Sequence, residues 1–259
     1  MYPIFDTHTH MYAADFDADR AAVIKRARKA GVQRIITVSE TLADARNNLT
    51  LARSHPELLA AAGLYPTHLK WDAALELHDF VRQHRDELVA IGEVGLDYWM
   101  VKDDQGRTIQ RQIFKSFVKL SIELDMPLNV HSRSAGRKAV DLLIQNDAKK
   151  VQLHAFDGKA GSALLAVEAG YFFSIPPSLI RSRQKQKLVR QLPLSSLLLE
   201  TDSPVLGPDP GRRNEPGNII TSLDMIAGIK NSSKEEVIEA VYDNTLRLYG
   251  RRFFNLSRA

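Results

Sequence analysis

Short runs of hydrophobic and β-branched residues alternate along the chain with longer segments in which apolar residues recur at helical spacing. The short runs are typical of strands and the longer segments of amphipathic helices, so their regular alternation predicts βα units around a parallel sheet. We count eight such units. The predicted strands lie near residues 3–8, 33–38, 58–64, 88–93, 127–131, 151–154, 171–174 and 197–200. The predicted helices lie near residues 17–30, 41–54, 72–87, 107–124, 135–146, 160–169, 183–191 and 218–229, with a last one near 234–249.

Eight βα repeats in a chain of 259 residues predict an α/β fold of the (β/α)8 TIM-barrel type. A doubly wound open sheet is the alternative, but such sheets usually have fewer strands, and the chain has no GxGxxG or P-loop pattern. No low-complexity linker divides the chain, so we expect a single domain over residues 1–259. The Pro- and Gly-rich segment 203–218 follows the eighth predicted strand, where barrels carry part of their active sites, and we interpret it as a functional loop.

The composition narrows the chemistry that this barrel can perform. Cysteine is absent, which excludes disulfides, a thiol nucleophile and Cys-bound zinc and leaves histidine and carboxylates as the strong metal ligands. The chain has no 18-residue apolar stretch and no signal-peptide pattern at its start, so we expect a cytoplasmic protein that does not enter a membrane. The net charge of +4 mildly favours polyanionic partners. The basic run at 181–187 is more informative, although a solvated helix face is the alternative.

Side chains that can bind metal stand where predicted strands end. His8 and His10 are one residue apart at the end of the first strand, so both point to one face and could share an ion. Glu93 ends the fourth strand on the predicted face of Val89 and Ile91, next to two glycines that permit close backbone approach. Its two oxygens could bridge two cations. The full set of candidates is His8, His10, Glu93, His131, His154 and Asp202.

Each candidate taken alone also has a structural interpretation. A lone histidine at a strand end is more often structural than catalytic, a loop glutamate can simply be solvated, and Asp202 could be a helix N-cap. All six nevertheless fall at the carboxyl ends of predicted strands 1, 4, 5, 6 and 8, which converge on one mouth in a barrel. This coincidence favours a shared metal site over six separate structural roles.

Strand parity predicts a supporting layer of polar residues beneath the candidate ligands. Residues two positions before a ligand share its face of the strand, which also turns Ile4 toward the barrel interior. Such residues can orient metal ligands by hydrogen bonds. One β-bulge would reverse a face, so this prediction depends on regular strands. The predicted layer consists of Asp6, Asn129, Gln152 and Glu200.

Seven segments together resemble one known family in the family's order, over nearly the whole chain. They are DTHTH, GLYP at 63–66, GEVGLDY, NVHSRSAGR, LHAFDG, LETDSP and NTLRLYG. The chain in this respect resembles the TatD family of metal-dependent deoxyribonucleases, within the wider amidohydrolase-like barrels. The segment YFFSIPPSLIRSRQKQKLVRQLP further resembles the branch of eukaryotic third TatD-domain proteins.

The resemblance implies a centre with two divalent ions and no organic cofactor. By that resemblance His8, His10 and Asp202 hold one ion, the other two histidines of the set hold a second, and Glu93 bridges them. Histidine-rich ligation suits zinc, manganese, cobalt or nickel better than magnesium, which prefers oxygen donors but is abundant in cells. Such ions lower the pKa of a bound water, and Asp202 is the candidate general base for hydrolysis of a DNA phosphodiester.

Four further residues are candidates for substrate binding. Many family members have histidine where GLYP places Tyr65, which leaves His68 as a substitute or as a solvated loop residue. Arg133, Arg213 and the basic run after the seventh strand could bind flanking phosphates. Loops 7 and 8 of barrels, which carry Arg213 and the basic run, often form phosphate sites. The alternative for Arg133 is an ion pair with a neighbouring carboxylate such as Asp97.

Several alternatives remain open at this point. Related barrels support amidase, aminoacyl-tRNA deacylase, phosphotriesterase and lactonase activities, and a barrel that binds nucleic acid without turnover belongs to another class again. The aromatic residues Tyr98, Trp99 and Phe156 lie in predicted mouth loops, where they could stack on bases or cap the core. A monomer is the favoured oligomeric state. The remaining histidines are expected at the surface and are His55, His78 and His84.

Overall fold

The computed structural model describes residues 2–254 and confirms the predicted (β/α)8 barrel. Eight parallel strands pair in chain order, and a bridge between Thr9 and Ser203 joins the eighth strand region to the first. The predicted strands agree with the observed ones within two residues at each end. The strands are β1 (Ile4–Thr9), β2 (Val32–Thr37), β3 (Leu58–Ala62), β4 (Leu88–Gly95), β5 (Leu128–His131), β6 (Val151–His154), β7 (Phe172–Ile175) and β8 (Leu197–Leu199).

Each strand is followed by a helix, as the periodicity predicts. The helices are α1 (Arg20–Lys29), α2 (Leu42–Ser54), α3 (Trp71–Gln83), α4 (Asp104–Leu124), α5 (Gly136–Gln145), α6 (Ala160–Glu168), α7 (Arg183–Gln191), α8 (Ile219–Lys230) and α9 (Lys234–Tyr249). Short 3-10 turns at 14–16, 177–181, 194–196 and 216–218 were not predicted, because three to five residues are too few to show periodicity. Within residues 2–254, no helix is both long and apolar enough to cross a membrane.

The apolar interior is divided into two clusters. The larger cluster fills the layer between strands and helices, and Ile4 and Ile91 belong to it. The second contains Phe5, Val89 and Leu198 from the strands, together with residues from the end of α9 and the segment behind it. The second cluster therefore lies inside the barrel, and the end of α9 with the residues up to Phe254 closes it from the side opposite the mouth.

The division into two clusters corrects the predicted faces of β1 and β4. Ile4 packs toward the helices and not into the barrel, and the pairing register of β1 shifts between Asp6 and Thr9. Ile91 likewise packs outside, and the register of β4 shifts between Ile91 and Val94. These β-bulges break the alternation that the parity argument assumes, so residues before and after them cannot share a face.

Helix α9 carries the clearest capping signal among the helices. Ser233 accepts a hydrogen bond from the amide of Glu236, and the Glu236 carboxylate accepts one from the amide of Ser233. This reciprocal capping box satisfies two amides that the helix itself leaves unpaired. The end of α9 contributes residues to the cluster inside the barrel, so the cap stabilises a helix that helps to close the barrel.

Candidate metal centre

The six candidate ligands of the sequence meet at the carboxyl ends of the strands, and all are buried. Glu93 lies at their centre. One oxygen, Oε1, is 2.6 Å from Nδ1 of His131 and 2.8 Å from Nε2 of His154. The other oxygen, Oε2, is 3.6 Å from Nε2 of His10 and 3.8 Å from Nε2 of His8. The two carboxylate oxygens therefore face two different pairs of imidazoles.

Asp202 completes the group from the loop after β8. Its Oδ1 is 3.4 Å from Nε2 of His8 and 3.3 Å from Nε2 of His10. The backbone of Asp202 adopts the left-handed conformation (φ 56°), which aspartate tolerates better than most residues and which is frequent at functional sites. Its amide donates to the carbonyl of His8 at 2.9 Å, so the loop is tied directly to β1.

Close backbone contact brings β4 and β5 together at this point. A side chain on Gly95 (φ +147°) would place a Cβ atom 2.0 Å from the carbonyl oxygen of His131. A Cβ atom on Gly92 would lie 2.6 Å from the side chain of Asn129. The glycines on either side of Glu93 are thus required by the approach of the neighbouring strand, as the sequence analysis expects.

The imidazole nitrogens converge in a way that fits divalent cations. Nε2 of His8 is 3.4 Å from Nε2 of His10, and Nδ1 of His131 is 3.3 Å from Nε2 of His154. Two imidazole lone pairs at this distance repel each other unless a proton or a cation lies between them. Histidine nitrogens and carboxylate oxygens are the donors that zinc and similar transition metals prefer. The donor set therefore fits divalent metal binding.

Burial and the neighbouring charges shift the pKa values of the histidines in the cluster strongly. Burial disfavours the charged form of His8, but Asp202 and Glu93 outweigh this effect and raise the pKa of His8 to about 10. For His131, burial is again outweighed, here by Glu93 and Asp97, and its pKa rises to about 9. For His154, burial and the charge of His8 lower the pKa to about 4. The two carboxylates thus favour positive charge on His8 and His131, and bound cations would supply positive charge at the same place.

Of the predicted supporting residues, Asn129 and Glu200 lie beside ligands. Oδ1 of Asn129 is 2.8 Å from Nδ1 of His8 and can fix the orientation of that ring. Glu200 accepts a hydrogen bond from the amide of Ala155 at 2.9 Å, and its Oε2 is 3.7 Å from Nδ1 of His154. Burial raises the pKa of Glu200 to about 7.

The other two members of the predicted layer do not touch an imidazole. The Asp6 carboxylate accepts hydrogen bonds from the amide and hydroxyl of Thr201, at 2.9 and 2.6 Å, and its only contact with a ligand residue is the amide of His8. The bulge after Asp6 explains this placement. Gln152 donates to Ser174 and to the carbonyl of Thr7 beneath the ligands.

Sequence reasoning missed the role of Asp97. This buried carboxylate lies two residues beyond β4, and its Oδ2 is 3.1 Å from Nε2 of His131. The other oxygen accepts hydrogen bonds from the amides of Trp99 and Met100, and the Tyr65 hydroxyl donates to Oδ2 at 3.2 Å. Asp97 therefore orients His131 from the side away from Glu93. The signal in the sequence was the position of this carboxylate directly behind a ligand-bearing strand.

A cavity of about 520 Å³, here called the mouth pocket, opens above the cluster. Tyr65 lines it and lies with its ring centre 5.0 Å from that of His131. Arg133 also lines it, with its guanidinium 5.2 Å from the ring centre of Trp99, and among the described residues it forms no ion pair. The predicted alternative of a pair with Asp97 is therefore not found. Lys185, from the basic run, is a further lining residue.

Two predicted substrate-binding residues lie elsewhere. The Arg213 guanidinium binds both oxygens of Asp19 at 2.8 Å, which commits it to an ion pair beside α1. His68 is exposed and borders a separate small pocket between β4 and α4. Neither residue lines the mouth pocket, because the loops that carry them fold outward against neighbouring helices.

The expectation that His78 lies at the surface is wrong, whereas Phe156 and Trp99 occupy positions that the sequence left open. His78 is buried against Phe117 and is within hydrogen-bond distance of Ser116, because its face of α3 packs on α4. Phe156 is buried against Phe173 and caps the core. Trp99, by contrast, is 57% exposed at the rim of the mouth.

The fold and this donor cluster define a TIM barrel with a candidate metal centre at its mouth. Within that class the chain belongs to the family of TatD related DNases, whose family model matches residues 5–250. The resemblance stated from the sequence is thereby confirmed.

Individual relatives match over almost their full length. Deoxyribonuclease TATDN3 from Homo sapiens is 44% identical over 261 residues, which cover 95% of this chain and 94% of the relative. "Uncharacterized metal-dependent hydrolase YabD" from Bacillus subtilis is 30% identical over 95% of this chain and 98% of the relative. The crystal structure of YJJV, a TatD homolog from Escherichia coli K12, has a TM-score of 0.88 at 28% identity and covers 95% of this chain and 97% of that one.

Proposed function

We propose that this protein is a metal-dependent hydrolase that cleaves phosphodiester bonds of DNA with two divalent ions. The observation that carries the proposal is the position of Glu93, whose two oxygens face two separate pairs of imidazoles. A carboxylate in this position can bridge two cations. The family membership and the name of the human relative support DNA as the substrate.

We assign the ligands to two sets, and the distances of Glu93 and Asp202 to the imidazoles support this assignment. His8, His10 and Asp202 lie on one side of Glu93, and His131 and His154 on the other. Two divalent ions carry a charge of +4 and the two carboxylates −2, so the loaded site has a formal charge of +2 and attracts a phosphate. When bound, such ions supply Lewis-acid activation of water and neutralise charge on phosphate oxygens.

The chain's own side chains would then position the substrate and move a proton. Asp202 lies at the open edge of the cluster and lines the mouth pocket, so its carboxylate can accept a proton from an attacking water. Arg133 presents guanidinium donors in the same pocket and can bind phosphate oxygens in a bidentate manner. Asp97 and Asn129 hold the imidazoles of His131 and His8 in place during this step.

Activity on a labelled oligonucleotide with added manganese tests the proposal. Wild-type protein should release shortened products, and Glu93→Gln should lower kcat by at least about 100-fold, because one ligand of both ions is lost. The control is Glu76→Gln, an exposed glutamate on α3, which should retain full activity. Undiminished cleavage by Glu93→Gln would show that a contaminant is responsible and that the proposed centre is wrong.

Two further measurements separate this function from the alternatives. A panel of amide, lactone, phosphotriester and aminoacyl-tRNA substrates would reveal another hydrolase activity on the same site, and turnover there without turnover of DNA would refute the proposal. DNA binding that persists in EDTA and in His131→Ala/His154→Ala, without any cleavage by the wild type, would indicate a non-catalytic binding barrel. Metal analysis of the purified protein should give about two ions per chain and identify them among zinc, manganese, cobalt, nickel and magnesium.

A further inference from the structure

A second cavity of about 560 Å³ lies next to the mouth pocket, between the start of α6 and α7. We call it the α6–α7 groove. Its walls include Lys159, Lys187 and Leu188, and it shares Asp157 and Gln184 with the mouth pocket. The two cavities therefore meet at one boundary. A polynucleotide strand that leaves the metal centre past Gln184 would enter the groove directly.

Lysines without acidic partners follow this path. Lys185 is half-buried in the mouth pocket, and Lys159 and Lys187 are exposed in the groove. Among residues 2–254, no carboxylate lies within ion-pair distance of these three lysines, whereas Lys150 binds Asp125 at 2.7 Å. A partly buried ammonium without a hydrogen-bonded partner is costly, so an anion at this position would relieve an unfavourable state.

The helices add positive potential to the groove. Helix α6 begins there, and its N-cap residue Lys159 makes no side-chain capping hydrogen bond. A Cβ atom on Gly161 would meet nothing within 4 Å, so the first turn is open to a ligand. Helix N-termini carry a partial positive charge and unpaired amides, which favour phosphate.

The acidic residue at the boundary, Asp157, is held in place by hydrogen bonds to both of its oxygens. One oxygen of Asp157 accepts a hydrogen bond from the amide of Ser134 at 2.8 Å, and the other accepts one from the side-chain amide of Gln184 at 3.1 Å. Both of its oxygens are thus held by neutral donors, and its contact with Gln184 lies at the boundary between the two cavities.

We propose that the α6–α7 groove is a subsite for the phosphate backbone of the polynucleotide beyond the scissile bond. Lys185 contacts the first phosphate outside the metal centre, and Lys187 and Lys159 contact those that follow. This inference rests on the proposed nuclease function and extends it from the reacting phosphate to the strand around it. Contact by lysine with backbone phosphates is independent of base sequence, so the subsite adds affinity and length dependence without base preference.

Comparison of a long and a minimal substrate tests the subsite. The groove variant is Lys159→Met/Lys187→Met, and the matched control is Lys119→Met/Lys149→Met, which removes two exposed charges from other faces of the barrel. kcat/KM is measured with manganese on a single-stranded oligonucleotide of about 12 nucleotides and on bis(4-nitrophenyl) phosphate, which has one phosphate only. We expect the groove variant to lose about tenfold more on the oligonucleotide than on the small diester, and the control to lose equally little on both.

Salt dependence gives an independent readout of the same contacts. The slope of log kcat/KM for the oligonucleotide against log salt concentration should become shallower by about 1.4 in the groove variant, since each lost contact with a single strand contributes about 0.7. Lys159→Gln/Lys187→Gln should behave alike, and circular dichroism checks that each variant is folded. A groove variant that matches the control in both the substrate ratio and the slope would overturn the subsite while leaving the nuclease intact. A wild type that cleaves no oligonucleotide would instead refute the proposed function, and the subsite with it.

Discussion

The buried carboxylates around the mouth are distinguished by their hydrogen-bond donors. Asp97 receives two backbone amides and the Tyr65 hydroxyl and faces His131, so its pKa is lowered although burial alone would raise it. Asp6 is bound by Thr201 alone among side chains, and burial raises its pKa to about 8. Asp97 thus orients the candidate ligand His131, whereas Asp6 joins β1 to the segment after β8 through its hydrogen bonds with Thr201.

Asp97→Asn tests the orientation of His131. The amide keeps the size of the side chain but removes the charge that faces Nε2 of His131 at 3.1 Å. Loss of such a supporting contact typically lowers metal affinity or activity by about 10–100-fold. We expect a fall of this size in manganese affinity, measured by calorimetric titration of metal-free protein, with little change in the unfolding temperature. Asp79→Asn, at an exposed position of α3, is the control, and equal affinities in the two variants would contradict the assignment.

His78 predicts a pH dependence of stability far from the metal centre. Burial, followed by the charge of Arg82, lowers the pKa of His78 in the folded protein. The unfolded chain therefore binds the proton first as the pH falls below about 6.5, and folded-state stability is lost in that range but not above it. His78→Gln should lose less stability than wild type between about pH 6.5 and 5, as measured by urea unfolding. The exposed His68→Gln should keep the wild-type slope, and a wild-type slope in His78→Gln would refute the prediction.

At the scale of elements, β-bulges determine which side chains β1 and β4 direct toward the metal centre. The register shifts of β1 and β4 fall between Asp6 and Thr9 and between Ile91 and Val94, so His8 and Glu93 each lie within a break in regular strand pairing. The end of α9 then closes the barrel from below, where the Tyr249 hydroxyl donates to Oε1 of Gln152 at 2.5 Å. Tyr249 also accepts from Asn129 at 3.4 Å, which connects this closing segment to the residue that orients His8.

The capping box of α9 should contribute measurably to global stability. Ser233→Ala removes the acceptor for the amide of Glu236, and loss of an N-cap serine typically costs about 1 kcal/mol. We expect a decrease of that size in the free energy of unfolding in urea, with an unchanged dependence on urea concentration. Ser233→Asp, which can still accept the hydrogen bond, should restore most of the loss. A destabilisation by aspartate as large as that by alanine would mean that the cap does not hold α9.

At the scale of the whole molecule, the barrel brings ligands from five separate strands to one mouth. Two pairs of imidazole nitrogens face each other there at 3.3–3.4 Å in a buried space. Ions that bind the folded chain and not the unfolded one stabilise it by mass action, by about 2.7 kcal/mol at a concentration 100 times Kd. Metal binding should therefore couple to the stability of the entire barrel.

Addition of manganese to EDTA-treated protein should raise the unfolding temperature by several degrees, in proportion to the logarithm of its concentration. Glu93→Gln should show a much smaller increase, because the central ligand is weakened, whereas Glu76→Gln should respond as wild type does. Differential scanning calorimetry measures these shifts. An unfolding temperature that does not change with manganese in the wild type would argue against a metal centre at the mouth.

Much of the site was predictable at the level of residue type and position along the chain. The six candidate ligands could be chosen because each stands at the end of a predicted strand and carries donor atoms, and the structure brings all six together. Asp97 could not be assigned, since its distance to His131 depends on how the loop after β4 folds back. Arg213 was misjudged because its partner Asp19 lies 194 residues away in the chain.

The sequence by itself determined the succession of strands and helices, because periodicity and capping depend on residues that are neighbours in the chain. It also determined which side chains could bind metal at the mouth. The tertiary structure alone decided which face Ile4, Asp6 and Ile91 present, because bulges arise from pairing with other strands. It likewise decided the pairing of Asp97 with His131 and the meeting of the mouth pocket with the α6–α7 groove, since both depend on contacts between segments distant in the chain.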